Sequence, residues 1–163
     1  MLEAAPLGIF SRRYAVTERG RPVAELSFGR WREHSTIAFD DRRLSVRFEG
    51  WWCPKLKLEE HGELRACASQ SGALRRGFHF AFGDDEYELY PTGVFSRSFE
   101  LSRKKRPLGR IGARGAFSRR ASIDLDDELP LEVRLFALWL VLLAWRRAAA
   151  GAAAGGGAAA AAT

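Results

Sequence analysis

Residues 129–147, LPLEVRLFALWLVLLAWRR, form the most apolar stretch of this 163-residue chain and constrain its fold more than any other feature. From Leu135 to Trp145 every side chain is apolar; Glu132 and Arg134 precede the run, and Arg146 and Arg147 follow it. A membrane span needs about 20 apolar residues, whereas a run of about 10 to 14 is more often a helix inside a protein. Start signals are present: Asp126 and Asp127 as caps, and Pro130 in the first turn, where its missing N–H costs little. Arg146 and Arg147 suit the negative end of a helix dipole. The segment therefore predicts a core helix over about 128–147, with a membrane anchor at 129–147 as the alternative. A helix that is apolar all round must be buried all round, so the rest of the chain has to surround it.

The preceding residues repeat in class three times. Gly8, Gly50 and Gly93 start units at steps of 42 and 43 residues. Tyr14, Leu56 and Phe99 then correspond, as do Val16, Leu58 and Leu101, and later Asp41, Asp84 and Asp127. GIFSRRYAV at 8–16 and GVFSRSFEL at 93–101 are the closest pair. Within each unit apolar residues alternate, as at Leu44, Val46 and Phe48, which is the pattern of half-buried antiparallel strands. Strands are expected near 9–17, 22–28, 35–40 and 43–49, then 52–59, 64–70, 77–83 and 86–91, then 94–102, 107–113 and 116–125. The third unit lacks a fourth strand. LEAAPLGIF at 2–10 matches YELYPTGVF at 87–95 in its Glu, Pro, Gly and Phe positions. Residues 2–5 therefore read as a detached twelfth strand able to close the sheet and remove its edges.

Eight-stranded barrels are filled by their own side chains, whereas eleven-stranded cans hold a helix on the axis. Twelve strands and one all-round apolar helix fit each other. The expected fold is thus mainly β, a closed antiparallel barrel of about 12 strands in three repeats of about 43 residues around a C-terminal helix. A β-trefoil also has three four-stranded units, but its narrow barrel would force residues 129–147 out as a membrane helix. A propeller needs more than three blades and its signature dipeptides are absent. The domain is expected over 1–147, followed by a disordered Ala/Gly tail at 148–163 with no large side chain to bury. Polyalanine favours helix in that tail, and its glycine run opposes it.

This layout, a strand-rich body ending in DLDDELPLEVRLFALWLVLLAWRR, resembles the tubby-like C-terminal superfamily, which includes the LURP-one-related proteins and the phospholipid scramblases. The resemblance covers most of residues 2–147 and implies a twelve-stranded closed barrel around a hydrophobic helix. It is one of layout: neither a phosphoinositide site nor a calcium-binding segment has a counterpart in this sequence, so activity does not transfer with the fold.

No catalytic constellation is visible. His34, His61 and His79 lie in different units, away from any triad order. The acidic pairs Asp40-Asp41, Asp84-Asp85 and Asp126-Asp127 recur at matching places, which suits turns and a helix cap better than a metal site. No calcium loop and no phosphate loop is present, and no cofactor is expected. Cys53 and Cys67 lack zinc-site spacing and read as free thiols. No long apolar run of a signal peptide opens the chain, so a cytoplasmic location is expected, peripheral at a membrane, with anchoring through 129–147 as the alternative. Arginine outnumbers lysine 22 to 4, a bias that points to a GC-rich, bacterial coding source.

The net charge of +6 permits an anionic membrane surface, a protein or a nucleic acid as partner without requiring one. The densest basic run, SRKKRPLGR at 102–110, places Arg103, Lys104, Lys105 and Arg106 at a hairpin tip, as a candidate lipid- or anion-binding loop or simply a solvated turn. Trp51 and Trp52 adjoin Gly50; in a regular strand one of them points outward. The expected function is a non-catalytic binding or scaffold domain associating with anionic lipid. The alternatives are a small C-terminally anchored membrane protein and a nucleic-acid-binding module.

Overall fold

The computed structural model describes residues 1–8, 11–29, 34–49, 55–71, 77–93, 96–115 and 118–158, with side chains as far as Ala152. Trp51, Trp52 and Cys53 lie outside the described residues. Twelve strands precede one helix. They are β1 (Leu2–Pro6), β2 (Arg13–Glu18), β3 (Arg21–Ser27), β4 (Ser35–Phe39), β5 (Arg42–Glu49) and β6 (Lys55–Glu60), then β7 (Glu63–Ser71), β8 (Gly77–Phe82), β9 (Asp85–Pro91), β10 (Phe99–Arg103), β11 (Arg106–Ala113) and β12 (Ala121–Leu125). The helix α1 covers Leu131–Ala158.

Each strand pairs antiparallel with its neighbour in sequence, and β1 closes the ring by pairing with both β2 and β12. Leu2 stands opposite Glu18 on one side and Ile123 on the other. The detached N-terminal segment is therefore the closing strand, and no edge is left to recruit another chain. Apolar side chains at alternate positions point inward. Val16, Leu26, Ile37, Leu44, Leu58, Leu89, Leu101 and Ile111 are all fully buried. Bulges interrupt the ladders at Val16/Thr17, Leu58/Glu59 and Leu101/Ser102, which fall at corresponding places in the sequence repeat. A bulge increases local twist and bend, and three of them at matching positions help curve the sheet into closure.

The helix runs through the ring. Val133 and every residue from Leu135 to Leu143 are buried, so no face of this stretch meets solvent. Trp139 stacks on Phe28, just after β3, with ring centroids 5.1 Å apart. Phe136 meets Phe80 of β8, on nearly the opposite wall, edge to face at 5.4 Å. By length and composition Leu131–Ala152 also passes for a membrane span.

Three strand starts and both helix ends differ from the sequence expectation. Strands expected to begin at 9, 94 and 116 begin instead at Arg13, Phe99 and Ala121. In each case the N–H of a serine ahead of the strand, Ser11, Ser96 or Ser118, donates to the carbonyl of Gly8, Gly93 or Gly115. Each serine hydroxyl then accepts the backbone N–H two residues on, from Arg13, Ser98 and Arg120, at 3.0 Å. Such local bonds compete with the ladder for the same backbone groups. The helix also begins later and ends later than expected. Asp126 closes the turn before it, accepting from the N–H of Glu128, instead of capping it. At the far end α1 continues to Ala158, eleven residues into the segment read as a tail. A helix already nucleated propagates easily into alanine. Arg146 and Arg147 are therefore not its last turn; they sit where it leaves the barrel.

Candidate functional site

In an antiparallel ring the connections alternate between two ends. One end, the hairpin end, holds five two-residue turns, Arg19-Gly20, Asp40-Asp41, His61-Gly62, Gly83-Asp84 and Lys104-Lys105, together with the lead 126–130 into the helix. The other, the loop end, receives the longer connections, of which residues 7–8, 11–12, 28–29, 34, 92–93, 96–98, 114–115 and 118–120 are described. The helix enters at the hairpin end and leaves at the loop end.

The two ends differ sharply in charge. The described residues of the loop-end segments include five arginines, Arg12, Arg97, Arg114, Arg119 and Arg120, and no acid. The hairpin-end turns and helix lead carry three basic residues, Arg19, Lys104 and Lys105, against six acids. Arg146 and Arg147 add two more cations at the helix exit. This polarity is larger than any single basic run. It was readable from the sequence once alternate connections were assigned to alternate ends, whereas local charge density pointed to Arg103–Arg106 alone.

The structure does bring Arg103, Lys104, Lys105 and Arg106 together, at the tip joining β10 to β11, with Arg103 paired across to Arg106. Lys104 and Lys105 both take left-handed backbone angles, φ 51° and 65°. Arg103 donates to Asp85 at 3.0 Å, and that bond raises its pKa. The tip therefore stands at the hairpin end beside an acidic turn, with one of its four charges already matched.

At the helix exit the arginines are held differently. Arg146 lies over the ring of Phe28 at 4.9 Å, Arg147 over Phe48 at 5.5 Å and Arg97 over Trp145 at 4.7 Å. Each replaces part of its hydration with a ring face. Arg119 donates to the Ser11 carbonyl at 2.8 Å and to the Tyr14 hydroxyl at 3.3 Å. Burial lowers the pKa of Arg146, the Tyr14 side chain raises it, and repulsion from Arg12 and Arg119 lowers it further. The Trp145 indole N–H is buried with no acceptor among the described residues.

The hairpin end closes by ion pairing. Arg42 of β5 forms a two-pronged bond to Glu60 of β6 at 2.6 and 2.7 Å and also donates to Glu132 of α1. The bond to Arg42 holds the Glu60 carboxyl below the usual carboxylate range. A cleft of about 640 Å³ opens at the same end between Met1, Glu18, Arg19, Arg21, Asp127 and Arg134. Its two acids are engaged by Arg134, which reaches Asp127 at 3.3 Å and Glu18 at 3.9 Å.

The remaining candidates stay apart. His34 is exposed, and His61 occupies a turn at φ 50°. His79 bonds the Tyr90 hydroxyl at 2.8 Å and lies 3.6 Å from Glu88 on the outer wall. Cys67 carries no disulfide. Among the described residues, no three His, Cys, Asp or Glu side chains gather in a way that could hold a metal ion. No protein-family model, no curated protein and no solved structure matches this chain.

Proposed function

We propose that this chain is a non-catalytic binding module that docks its loop end on anionic membrane surfaces. The separation of charge between the two ends of the barrel carries this reading. A surface with five arginines and no acid among the described residues of its connections, and Arg146 and Arg147 at the helix exit, is drawn to a negatively charged leaflet, and the acidic hairpin end is repelled, so attraction also orients the barrel. Phe28 and Trp145 beneath the exit arginines supply the aromatic component usual at headgroup level. The ring of twelve strands around an apolar helix supports the resemblance to the tubby-like superfamily with its scramblases and LURP-one-related members. Fold likeness alone carries no activity.

Co-sedimentation with vesicles tests the proposal. The protein is mixed with phosphatidylcholine vesicles, with or without phosphatidylglycerol, at low and high salt. Changing Arg97, Arg114, Arg120 and Arg147 together to Ser should abolish binding to the anionic vesicles. Changing Arg103, Lys104, Lys105 and Arg106 to Ser should leave most of it. Each basic residue near such a surface contributes about 1 kcal/mol, so four suffice to decide a reversible association. Stronger loss from the hairpin variant would move the site to the other end, and tighter binding to single-stranded nucleic acid than to any vesicle would replace the membrane as partner.

A further inference from the structure

We propose that the cleft at the hairpin end, between the start of β1, the β2–β3 turn and the lead into α1, is a binding site for a small organic monocarboxylate. Such a site is independent of membrane docking, which uses the opposite end of the barrel.

The cleft follows from how the ring is closed. At this end five neighbouring strand pairs are capped by two-residue turns. The pair β12–β1 has no turn, because β12 runs on into the helix lead. Its ladder stops at Leu2 opposite Ile123, whereas β12 continues to Leu125 against Gly109 of β11. The neighbouring tip leaves room as well. The β3–β4 ladder ends at Glu25 opposite Ala38. The equivalent ladders of the other two units run one pair further, to Ala66 opposite Phe82 and Gly109 opposite Leu125. Val23 is left half-buried at the edge of the gap. The opening of about 640 Å³ is the size of a small-molecule site.

Its lining selects the ligand. Glu18 stands directly opposite Arg21 in the ladder, yet it pairs with Arg134 of the helix, which also holds Asp127. Both acids are thus engaged by one arginine, and Arg19 and Arg21 line the cleft with no ion pair among the described residues. The side chains of the cleft, three arginines against two acids, sum to one positive charge, which a monoanion matches. Arg134 adds a separate sign of a missing partner: its Nε–H is buried with no acceptor among the described residues. A buried donor without an acceptor carries its full desolvation cost, and an oxygen brought to that wall lowers it. A carboxylate is planar and takes two parallel N–H bonds from a guanidinium fork. A phosphate monoester brings nearly two charges, more than the cleft leaves unmatched. Met1 and Val23 are apolar flanks, which favour an acid with a hydrocarbon body.

The experiment uses the full chain, with any tag at its C-terminal end because Met1 lines the cleft. Hexanoate is titrated at constant ionic strength, with chloride as the balancing anion, and both the melting temperature and the heat of binding are read. Acetate, hexanamide and methyl phosphate are the comparison probes. Hexanoate should raise the melting temperature saturably. Hexanamide, with the same chain and no charge, should not. Acetate should bind about tenfold more weakly, the worth of roughly two buried methylenes. R19Q/R21Q, at exposed positions that the fold does not depend on, should weaken hexanoate binding by about tenfold, the worth of one good charge-assisted bond. The charge-matched K104Q/K105Q, on another turn at the same end, should leave binding unchanged. Absence of a saturable hexanoate response in the wild type, an equal response to hexanamide, or equal loss from the two double variants overturns the site. A stronger response to methyl phosphate than to hexanoate overturns the carboxylate assignment.

Discussion

The guanidinium of Arg42 on β5 donates to the carboxylate of Glu132 in the first turn of α1, joining the barrel wall to the helix that fills it. Ninety residues of chain separate the two, and the same carboxylate also lies 3.5 Å from Arg65 of β7. Among the described residues Glu132, at 8% exposure, and Ser35 are the buried polar side chains. Its charge is matched on two sides, so the helix can begin inside the hairpin end without an unpaired ion.

Removing that carboxylate tests the pairing. Glu132→Ala should lower stability by roughly 1 to 3 kcal/mol, since two arginines lose an acceptor at a partly buried site. Glu132→Gln keeps the shape and one acceptor and should cost less. Thermal melts of the three proteins give the order wild type, then Gln, then Ala. An unchanged melting point for Ala would mean that solvent compensates the arginines fully.

The helix itself allows a harsher test. Leu138 is fully buried in the middle of α1. Leu138→Arg places a charge among apolar walls and should cost several kcal/mol, on the order of the penalty for burying an unpaired ion. Truncation before Leu129 should abolish folding, because it leaves a void far larger than a single-residue cavity inside the ring. A monomeric truncation product with strand-type circular dichroism and a cooperative melt would show that the barrel stands without its helix.

Much of this architecture was legible in the sequence, for identifiable reasons. Alternation at Leu44 and Val46 shows on which face each side chain lies, because a strand has a period of two, whereas Phe48, next in the series, is half exposed beneath Arg147. The match of residues 2–10 to 87–95 located the closing strand, since equivalent strands face equivalent neighbours. Strand starts were misplaced because Phe10, Phe95 and Phe117 extend the apolar pattern while Ser11, Ser96 and Ser118 take up backbone bonds that a ladder would use. Side-chain bonding of that kind leaves no trace in periodicity. The contacts at the helix exit were hidden for another reason: Arg119 meets Tyr14, and Arg146 meets Phe28, only after distant segments come together at one end of the ring.

Acid should weaken the fold through the same network. Bonding to Arg42 lowers the folded-state pKa of Glu60; Arg13 does so for Glu25 and Lys57 for Glu49. The unfolded chain then binds more protons at these carboxyls than the native one. Their contribution is complete above the ordinary carboxylate pKa and is lost as pH falls through the lowered folded values. Melting temperature should be flat near neutrality and fall on the acid side of the carboxylate range. Glu60→Gln should flatten that fall, whereas a curve that remains superimposable on the wild type would remove Glu60 from the acid response.

The turn at Lys104-Lys105 and Gly109 in the strand that follows it give opposite predictions. Both lysines hold left-handed angles, which L-residues other than Asn, Asp and Gly adopt at a cost of about 1 kcal/mol or more. Lys104→Asn with Lys105→Gly supplies the sequence preferred by a type I′ turn and should raise stability by about 1 kcal/mol. Gly109, on the neighbouring strand, sits at φ 128°, and a Cβ there would meet the Asp124 carbonyl oxygen at 2.1 Å. Backbone cannot move aside as a flexible side chain can. Gly109→Ala should therefore force β11 and β12 apart and lower the melting temperature, although alanine is only one methyl larger. Measured together, the two variants separate strain that the turn tolerates from contact that the barrel requires. A stabilised Gly109→Ala would mean that β11 and β12 do not approach as closely as their register implies.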